Sequence, residues 1–301
     1  MKKYVIFLLF PLLLGCKSKA NKEFSYEHIV IFGVDGAGGE FKNVDTPNFD
    51  KIFGSGSINY NGVAQSPTIS AQNWGSMIYG VGPEVHQKTN AYIASNKHND
   101  ESLPSFIKTY SEKHPSATYY SAVNWGPINY GLFEDIDKLT KVNVAEENSD
   151  LGAKDVDAMV ATSVASRTLT HNDTIVFTQF DYVDHAGHSY GNKSTEYIDA
   201  IRHIDQQMGV IYDAYKLTGK LSRTLFIAVS DHGHTEAGGH GGDSESEKAV
   251  MIAVNGGGNK IIHGSCESYT TTDVAPIVLH ALKEEIPSHY SGKVPNNMYV
   301  S

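Results

Sequence analysis

Short apolar, β-branched runs alternate along this chain with longer stretches whose apolar residues recur every three or four positions. The runs are His28–Val34, Ala117–Val123, Thr174–Phe180, Thr224–Val229 and Ala249–Val254. Each is too continuous for a half-solvated strand and has the length of a strand buried on both faces. Between Thr195 and Lys216, Ile198, Ile201, Ile204, Met208, Ile211, Tyr212 and Tyr215 mark one side of an amphipathic helix; Met208 and the tyrosines there read as core. Further helices are expected over Pro47–Phe53 with Thr46 as N-cap, from Ser70 onward, over Leu103–Lys113, over Val156–Thr168, and over Val274–Lys283 with Asp273 as cap and Pro276 in the first turn. Strands alternating with helices predict an α/β fold, a three-layer sandwich with a largely parallel central sheet flanked by helices.

Polar residues of one kind follow three of the apolar runs. The first leads into Asp35 and the glycine-rich turn Gly36-Ala37-Gly38-Gly39, whose spacing matches neither familiar phosphate-loop pattern. The third leads into Asp181-Tyr182-Val183-Asp184-His185-Ala186-Gly187-His188. The fourth leads into Ser230-Asp231-His232-Gly233-His234 and on to Gly239-His240-Gly241-Gly242-Asp243, a stretch with three imidazoles and five glycines. Carboxyl ends of strands are where open α/β sheets place their sites. Asp35, Asp184 with His188, Asp231 with His232, and His240 are therefore candidate metal ligands, and Asp and His donors suit zinc better than manganese or iron.

A second stretch, Gln65-Ser66-Pro67-Thr68-Ile69-Ser70-Ala71-Gln72-Asn73-Trp74 through Gly80, places a hydroxyl where a helix begins. Backbone N–H groups and the helix dipole favour negative charge there, which suits a nucleophile; the commoner role for such a serine is to cap the helix. Asn90 is a second candidate donor toward an oxyanion.

The amino terminus adds a location. Met1-Lys2-Lys3 precedes an apolar stretch from Tyr4 to Leu14 that ends in Leu13-Leu14-Gly15-Cys16. A basic start and an apolar region too short to span a bilayer read as a secretory signal, and a small residue before cysteine resembles the lipobox of bacterial lipoproteins. The expected organisation is a signal peptide over 1–15, a polar tether over 16–26 that begins with a lipid-bearing Cys16, and one domain over 27–301. The protein is then exported and membrane-anchored, on the periplasmic or cell-surface side. With Cys16 lipidated, Cys266 has no disulfide partner. The net charge of −10 and the lack of a basic stripe argue against a nucleic-acid-binding surface. An acidic chain acting on an anionic substrate needs bound cations.

Taken together, Val34-Asp35-Gly36, Pro67 through Trp74, Gly80-Val81-Gly82-Pro83-Glu84-Val85-His86, Asp184-His185-Ala186-Gly187-His188, Ser230-Asp231-His232-Gly233 and Gly239-His240-Gly241 resemble the alkaline phosphatase superfamily. Within it they resemble the nucleotide pyrophosphatase/phosphodiesterase branch, in the family's order and over nearly the whole mature chain. The resemblance implies two zinc ions, one held by Asp184, His188 and His240 and the other by Asp35, Asp231 and His232. It also places the nucleophile on Ser70, in contact with the second ion, with Thr68 as the neighbour that could be mistaken for it. Asn73 matches an asparagine of the nucleophile motif. Asn90 matches the asparagine that, with the backbone N–H after the nucleophile, holds a phosphate oxygen, although its spacing is one residue short. The chain lacks the Cys-x-Pro-x-Arg of sulfatases and the long insert of cofactor-independent phosphoglycerate mutases.

The implied activity is a two-metal hydrolase of a small phosphate ester acting through a phosphoseryl intermediate. The alternatives are a phosphomonoesterase of the same superfamily and a non-catalytic metal-binding surface lipoprotein. A monoester carries an extra charge that calls for a guanidinium clamp or further cation, and the only arginines, Arg167, Arg202 and Arg223, lie away from the strand ends. A diester is the expected substrate.

Overall fold

A computed structural model describes residues 25–95 and 103–299. The expected signal peptide, the lipid on Cys16 and most of the tether fall outside the described residues.

Seven strands form one sheet in the order β2-β7-β6-β1-β5-β3-β4. They are β1 (His28–Val34), β2 (Ser57–Val63), β3 (Tyr119–Val123), β4 (Leu139–Asn143), β5 (Ile175–Phe180), β6 (Thr224–Val229) and β7 (Ala249–Gly256). From β6 through β1, β5 and β3 to β4 all neighbours are parallel, while β7 runs antiparallel to β6 and β2 antiparallel to β7. β2 and β4, which the apolar runs do not mark, are the two edge strands; β2 has only part of its length buried and no residue of β4 is fully buried.

Helices cover both faces. The ones used below are α1 (Pro47–Phe53), α2 (Ser70–Tyr79), α3 (Phe106–Lys113), α4 (Ala153–Thr170), α5 (Tyr182–Tyr190), α6 (Thr195–Leu217) and α7 (Val274–Ala281). Side chains alternate across β1: Ile29 and Ile31 pack with Trp74 of α2, Phe177 and the apolar side of α7, while Val30, Phe32 and Val34 pack with Phe49, Phe226 and the apolar side of α6. Phe32 stacks on Phe226 with ring centroids 5.9 Å apart. β1 is buried on both faces, and the first carboxylate after it, Asp35, falls where the strand ends.

The helix boundaries differ from the expected ones for local reasons. α3 starts at Phe106, after Leu103-Pro104, because the Ser105 hydroxyl caps it by accepting the Lys108 N–H at 3.1 Å. α4 runs further at both ends than Val156–Thr168. Thr46 stands at the cap position of α1 without making a capping bond; Asp205 of α6 does this instead, accepting the N–H groups of Asn48 at 3.3 Å and Phe49 at 2.7 Å. Asp273 precedes α7 but accepts from Thr270 N and Lys293 N, both at 2.8 Å, and α7 ends at Ala281.

Candidate active site

Three strand ends converge at one edge of the sheet. β1 delivers Asp35, β6 delivers Asp231 and His232, and the chain after β5 turns at once into α5, which carries Asp184 and His188 one turn apart. Because α5 is a helix, that four-residue step puts both side chains on one side of it.

Asp35, Asp231 and His232 form the deeper group, with no side chain more than 2% exposed. One oxygen of each carboxylate is engaged by the fold. Asp35 Oδ2 accepts from Trp74 Nε1 at 2.9 Å and Gln179 Nε2 at 3.0 Å. Asp231 Oδ1 accepts from the N–H groups of Gly36 at 3.0 Å and His232 at 2.9 Å. The other oxygens, Asp35 Oδ1 and Asp231 Oδ2, are buried without a hydrogen-bond partner and lie 3.4 and 3.3 Å from His232 Nε2. Burial, then the charge of neighbouring carboxylates, pushes the pKa of Asp35 well above the ordinary range, and burial with the Asp184 charge does the same to Asp231. Burial lowers that of His232, which keeps its imidazole neutral. Bare buried oxygens cost about 1–3 kcal/mol each, and a divalent cation relieves both at once. These residues fit a metal ion.

Asp184, His188 and His240 form the outer group. Asp184 Oδ2 is 3.4 Å from His188 Nε2, and its Oδ1 is 3.7 Å from His240 Nε2. The two imidazole Nε2 atoms face each other at 3.1 Å. His240 Nδ1 donates to the Thr68 carbonyl at 2.7 Å, which leaves the lone pair on Nε2. Nitrogens turned toward each other beside a carboxylate also fit a cation. In each group the ligand atoms lie within 4.8 Å of one another, so the structure brings the six residues together in the two sets of three anticipated from sequence.

Ser70 is the first residue of α2, with Ile69 at the cap position, and its hydroxyl does not cap the helix. Ser70 Oγ lies 3.1 Å from His232 Nε2, against the deeper group. Thr68 Oγ1 is committed elsewhere: it donates to the Gly242 carbonyl at 2.8 Å and accepts the Gly241 N–H at 3.0 Å, anchoring the loop that carries His240. Asn73 is architectural, receiving Gln65 N–H at 2.7 Å and donating to Gln65 O at 3.1 Å, which holds the turn leading into α2. Asn90 reaches the site despite its short spacing. Its Oδ1 accepts the Ala71 N–H at 2.9 Å, so the two expected donors meet, and the Asn90 amide nitrogen is the one left to face a ligand.

Sequence reasoning passed over several neighbours. Trp74 and Gln179 hold Asp35 in place, and His234 reaches Asp184. Asp181 pairs with His185, its i+4 neighbour, at 3.0 Å, a spacing visible in the sequence once α5 is known to be a helix. A cavity of about 250 Å³ opens over the groups and is lined by Asp35, Ser70, Asn90, Trp125, Asp181, Asp184, His185, His188 and His240. No lysine or arginine lines it among the described residues. Arg167 is paired with Asp173 at 2.8 Å, Arg202 with Asp199 at 2.7 Å and Arg223 with Glu27 at 2.9 Å.

A family model described as type I phosphodiesterase / nucleotide pyrophosphatase matches residues 29–243. GPI ethanolamine phosphate transferase 2 of Aspergillus fumigatus is 33% identical over 129 residues, covering 42% of this chain and 16% of that protein. The type 1 transferase of Saccharomyces cerevisiae is 28% identical over 130 residues, covering 37% and 14%. Ectonucleotide pyrophosphatase/phosphodiesterase family member 1 of Mus musculus is 23% identical over 301 residues, covering 92% of this chain and 31% of its own. The chain thus spans less than a third of the length of these relatives. Among solved structures, murine ectonucleotide pyrophosphatase/phosphodiesterase 5, an inactive variant in complex with AMP, superposes with a TM-score of 0.64 at 14% identity, covering 88% of this chain and 97% of that one. Ps i-CgsB gives a TM-score of 0.65 at 12% identity, covering 89% and 75%. With its family model spanning well over half the sequence, and with a fold shared with these structures, the chain belongs to the type I phosphodiesterase/nucleotide pyrophosphatase family of the alkaline phosphatase superfamily.

Proposed function

We propose that this protein hydrolyses a small phosphodiester or pyrophosphate through a covalent phosphoseryl intermediate on Ser70. The observation that carries the reading is the position of Ser70 Oγ: first in its helix, released from capping, and 3.1 Å from His232 Nε2 within the deeper Asp and His group.

Asp35, Asp231 and His232 would hold one divalent cation and Asp184, His188 and His240 a second, with zinc the best match to these donors. Bound there, the ions supply positive charge against the anionic oxygens of nucleophile, substrate and leaving group. The chain does the rest. Its α2 amino terminus turns a positive dipole end toward a bound phosphoryl group, and Asn90, held by the Ala71 N–H, adds an amide donor. Ser70 Oγ gives up its proton and bonds to phosphorus as the bond to the first alcohol or nucleotide breaks. Water then takes the phosphoryl group and restores the Ser70 hydroxyl. Two in-line displacements retain configuration at phosphorus. Trp125 gives the cavity an aromatic wall for the organic part of the substrate.

The absence of a guanidinium or ammonium group among the described lining residues favours a singly charged diester over a dianionic monoester. The test is the ratio of kcat/KM for bis-p-nitrophenyl phosphate to that for p-nitrophenyl phosphate on zinc-loaded protein at neutral to alkaline pH. A ratio above one is expected; a ratio well below one assigns the site to phosphomonoesters. Similarity to proteins named as ethanolamine phosphate transferases supports a second reading, in which an alcohol rather than water takes the phosphoryl group from Ser70. Phosphorus NMR of products formed with and without an added alcohol acceptor separates the two.

We also propose that Cys16 carries a lipid and tethers the domain to a membrane. β1 is seven residues long, so a tether arriving at its start meets the domain about 23 Å from Asp35. The site then opens away from the attachment point, toward water-soluble substrate. Cys16→Ser should move the protein from the membrane to the soluble fraction or leave it unprocessed, and a wild-type chain that stays in the cytosol with Met1 intact would refute the proposal.

A further inference from the structure

The loop after β6 carries an imidazole that neither group of three includes. His234 is fully buried, and its Nε2 lies 2.8 Å from Asp184 Oδ1, closer than His188 or His240 comes to the same carboxylate. Among the described residues this is the hydrogen bond that Asp184 makes outside its ligand set. A carboxylate rotates freely about its last bond unless a partner fixes it, and the His188 side chain one turn along is 51% exposed.

The space for this ring is built. A Cβ at Gly36 would fall 2.7 Å from His234 Nε2, and one at Gly187 would fall 2.5 Å from it. Gly187 sits inside α5, between Asp184 and His188, where glycine costs about 1 kcal/mol relative to alanine; the imidazole edge occupies the place of its missing side chain. Tyr197 closes the pocket, its ring edge-on to His234 at 6.2 Å and its hydroxyl donating to the Gly36 carbonyl at 2.7 Å. The partner of Nε2 also settles which nitrogen carries the proton. A lone pair aimed at a carboxylate oxygen 2.8 Å away would repel it, so the hydrogen is on Nε2, and Nδ1, buried without a partner, is the acceptor left over.

We propose that His234 is a positioning residue for the outer cation site: its Nε2–H fixes the rotation of the Asp184 carboxylate so that Asp184, His188 and His240 present a preformed set, and it is not itself a ligand. The inference rests on the reading of those three residues as one cation site, and the experiment separates the two.

Zinc binding is measured by competition with a chromophoric chelator on the full chain. Wild type should bind two ions. His234→Met should bind the first as wild type does and the second about 10–100-fold more weakly, the usual cost of losing a partner of a ligand. His234→Gln keeps an N–H donor at the reach of Nε2 and should return most of the affinity, with thermal unfolding of the metal-free proteins confirming that all are folded. Should His234→Met not fold, Gly187→Ala replaces it, since the added methyl group pushes the ring off Asp184 without removing a polar group, and the same loss is expected. Fewer than two ions on wild type overturns the site assignment. Two ions on wild type with unchanged affinity in His234→Met, or in Gly187→Ala where that variant stands in, overturns the role of His234. Equal losses in His234→Met and His234→Gln make it a direct ligand, contrary to the proposal.

Discussion

The two groups of three are made from the same residue types and differ in what holds them. The deeper group hangs from the ends of β1 and β6, neighbours paired in register through Gly33 and Val229, and every one of its side chains is out of contact with water. The outer group comes from α5 and from a glycine-rich loop, with His188 51% and Asp184 15% exposed at the side chain. The sheet core fixes the first; a hydrogen bond from His240 to the Thr68 carbonyl and one from His234 to Asp184 hold the second. Rigidity thus falls beside Ser70, and solvent access falls at the outer group.

Removing the proposed nucleophile should give the largest effect. Ser70→Ala should lose more than about a thousandfold in kcat while still binding two ions, which would show that the deeper group survives without the residue it serves. The next tests set one group against the other. Asp231→Asn should abolish binding of the deeper ion, whereas His188→Ala should weaken only the outer one, and chelation should strip the outer ion first.

The same contrast has a signature in the metal-free protein. Asp35 and Asp231 have pKa values raised by burial first, and then by the charge of Asp231 on Asp35 and of Asp184 on Asp231, so the folded state holds their protons more tightly than the unfolded state does. Stability therefore falls as pH rises above the ordinary carboxylate range of about 4, and zinc should reverse the loss. Asp231→Asn should raise the Tm of the metal-free protein by about 2–4 °C for each kcal/mol of repulsion relieved, and lower that of the zinc-loaded protein. Smaller again, Asn90→Ala should cost about a hundredfold in kcat, the scale of one oxyanion donor. Thr68→Val, which removes the hydroxyl that anchors the loop carrying His240 while keeping the carbonyl that His240 meets, should weaken the outer ion and leave the deeper one unchanged.

Much of this was legible because the chemistry sits where apolar runs stop. Asp35, Asp231 and His232 each follow a strand buried on both faces, and such strands are the clearest signal a single sequence offers. The less legible parts depend on contacts between distant segments. β2 and β4 are edge strands, the first buried over part of its length and the second nowhere fully buried, and so lack continuous apolar runs. The expected helix start singles out Ser70 over Thr68, but what occupies Thr68 is not local: the loop at Gly241 and Gly242 takes up its hydroxyl. Thr46 and Asp273 have the right residue types for caps, yet Asp205 supplies the first cap from another helix and Asp273 turns to Thr270 and Lys293. His234 lies two positions from His232, and only the glycines at 36 and 187, far apart in sequence, reveal its pocket.

The central claim is that Ser70 carries the phosphoryl group during turnover. Zinc-loaded protein is mixed with excess bis-p-nitrophenyl phosphate, quenched in acid, digested, and the peptide spanning Thr68 and Ser70 fragmented by mass spectrometry. The account predicts a nitrophenyl phosphate adduct on Ser70 that is absent from Ser70→Ala; an adduct on Thr68, or turnover with no adduct and inverted configuration at phosphorus, would contradict it.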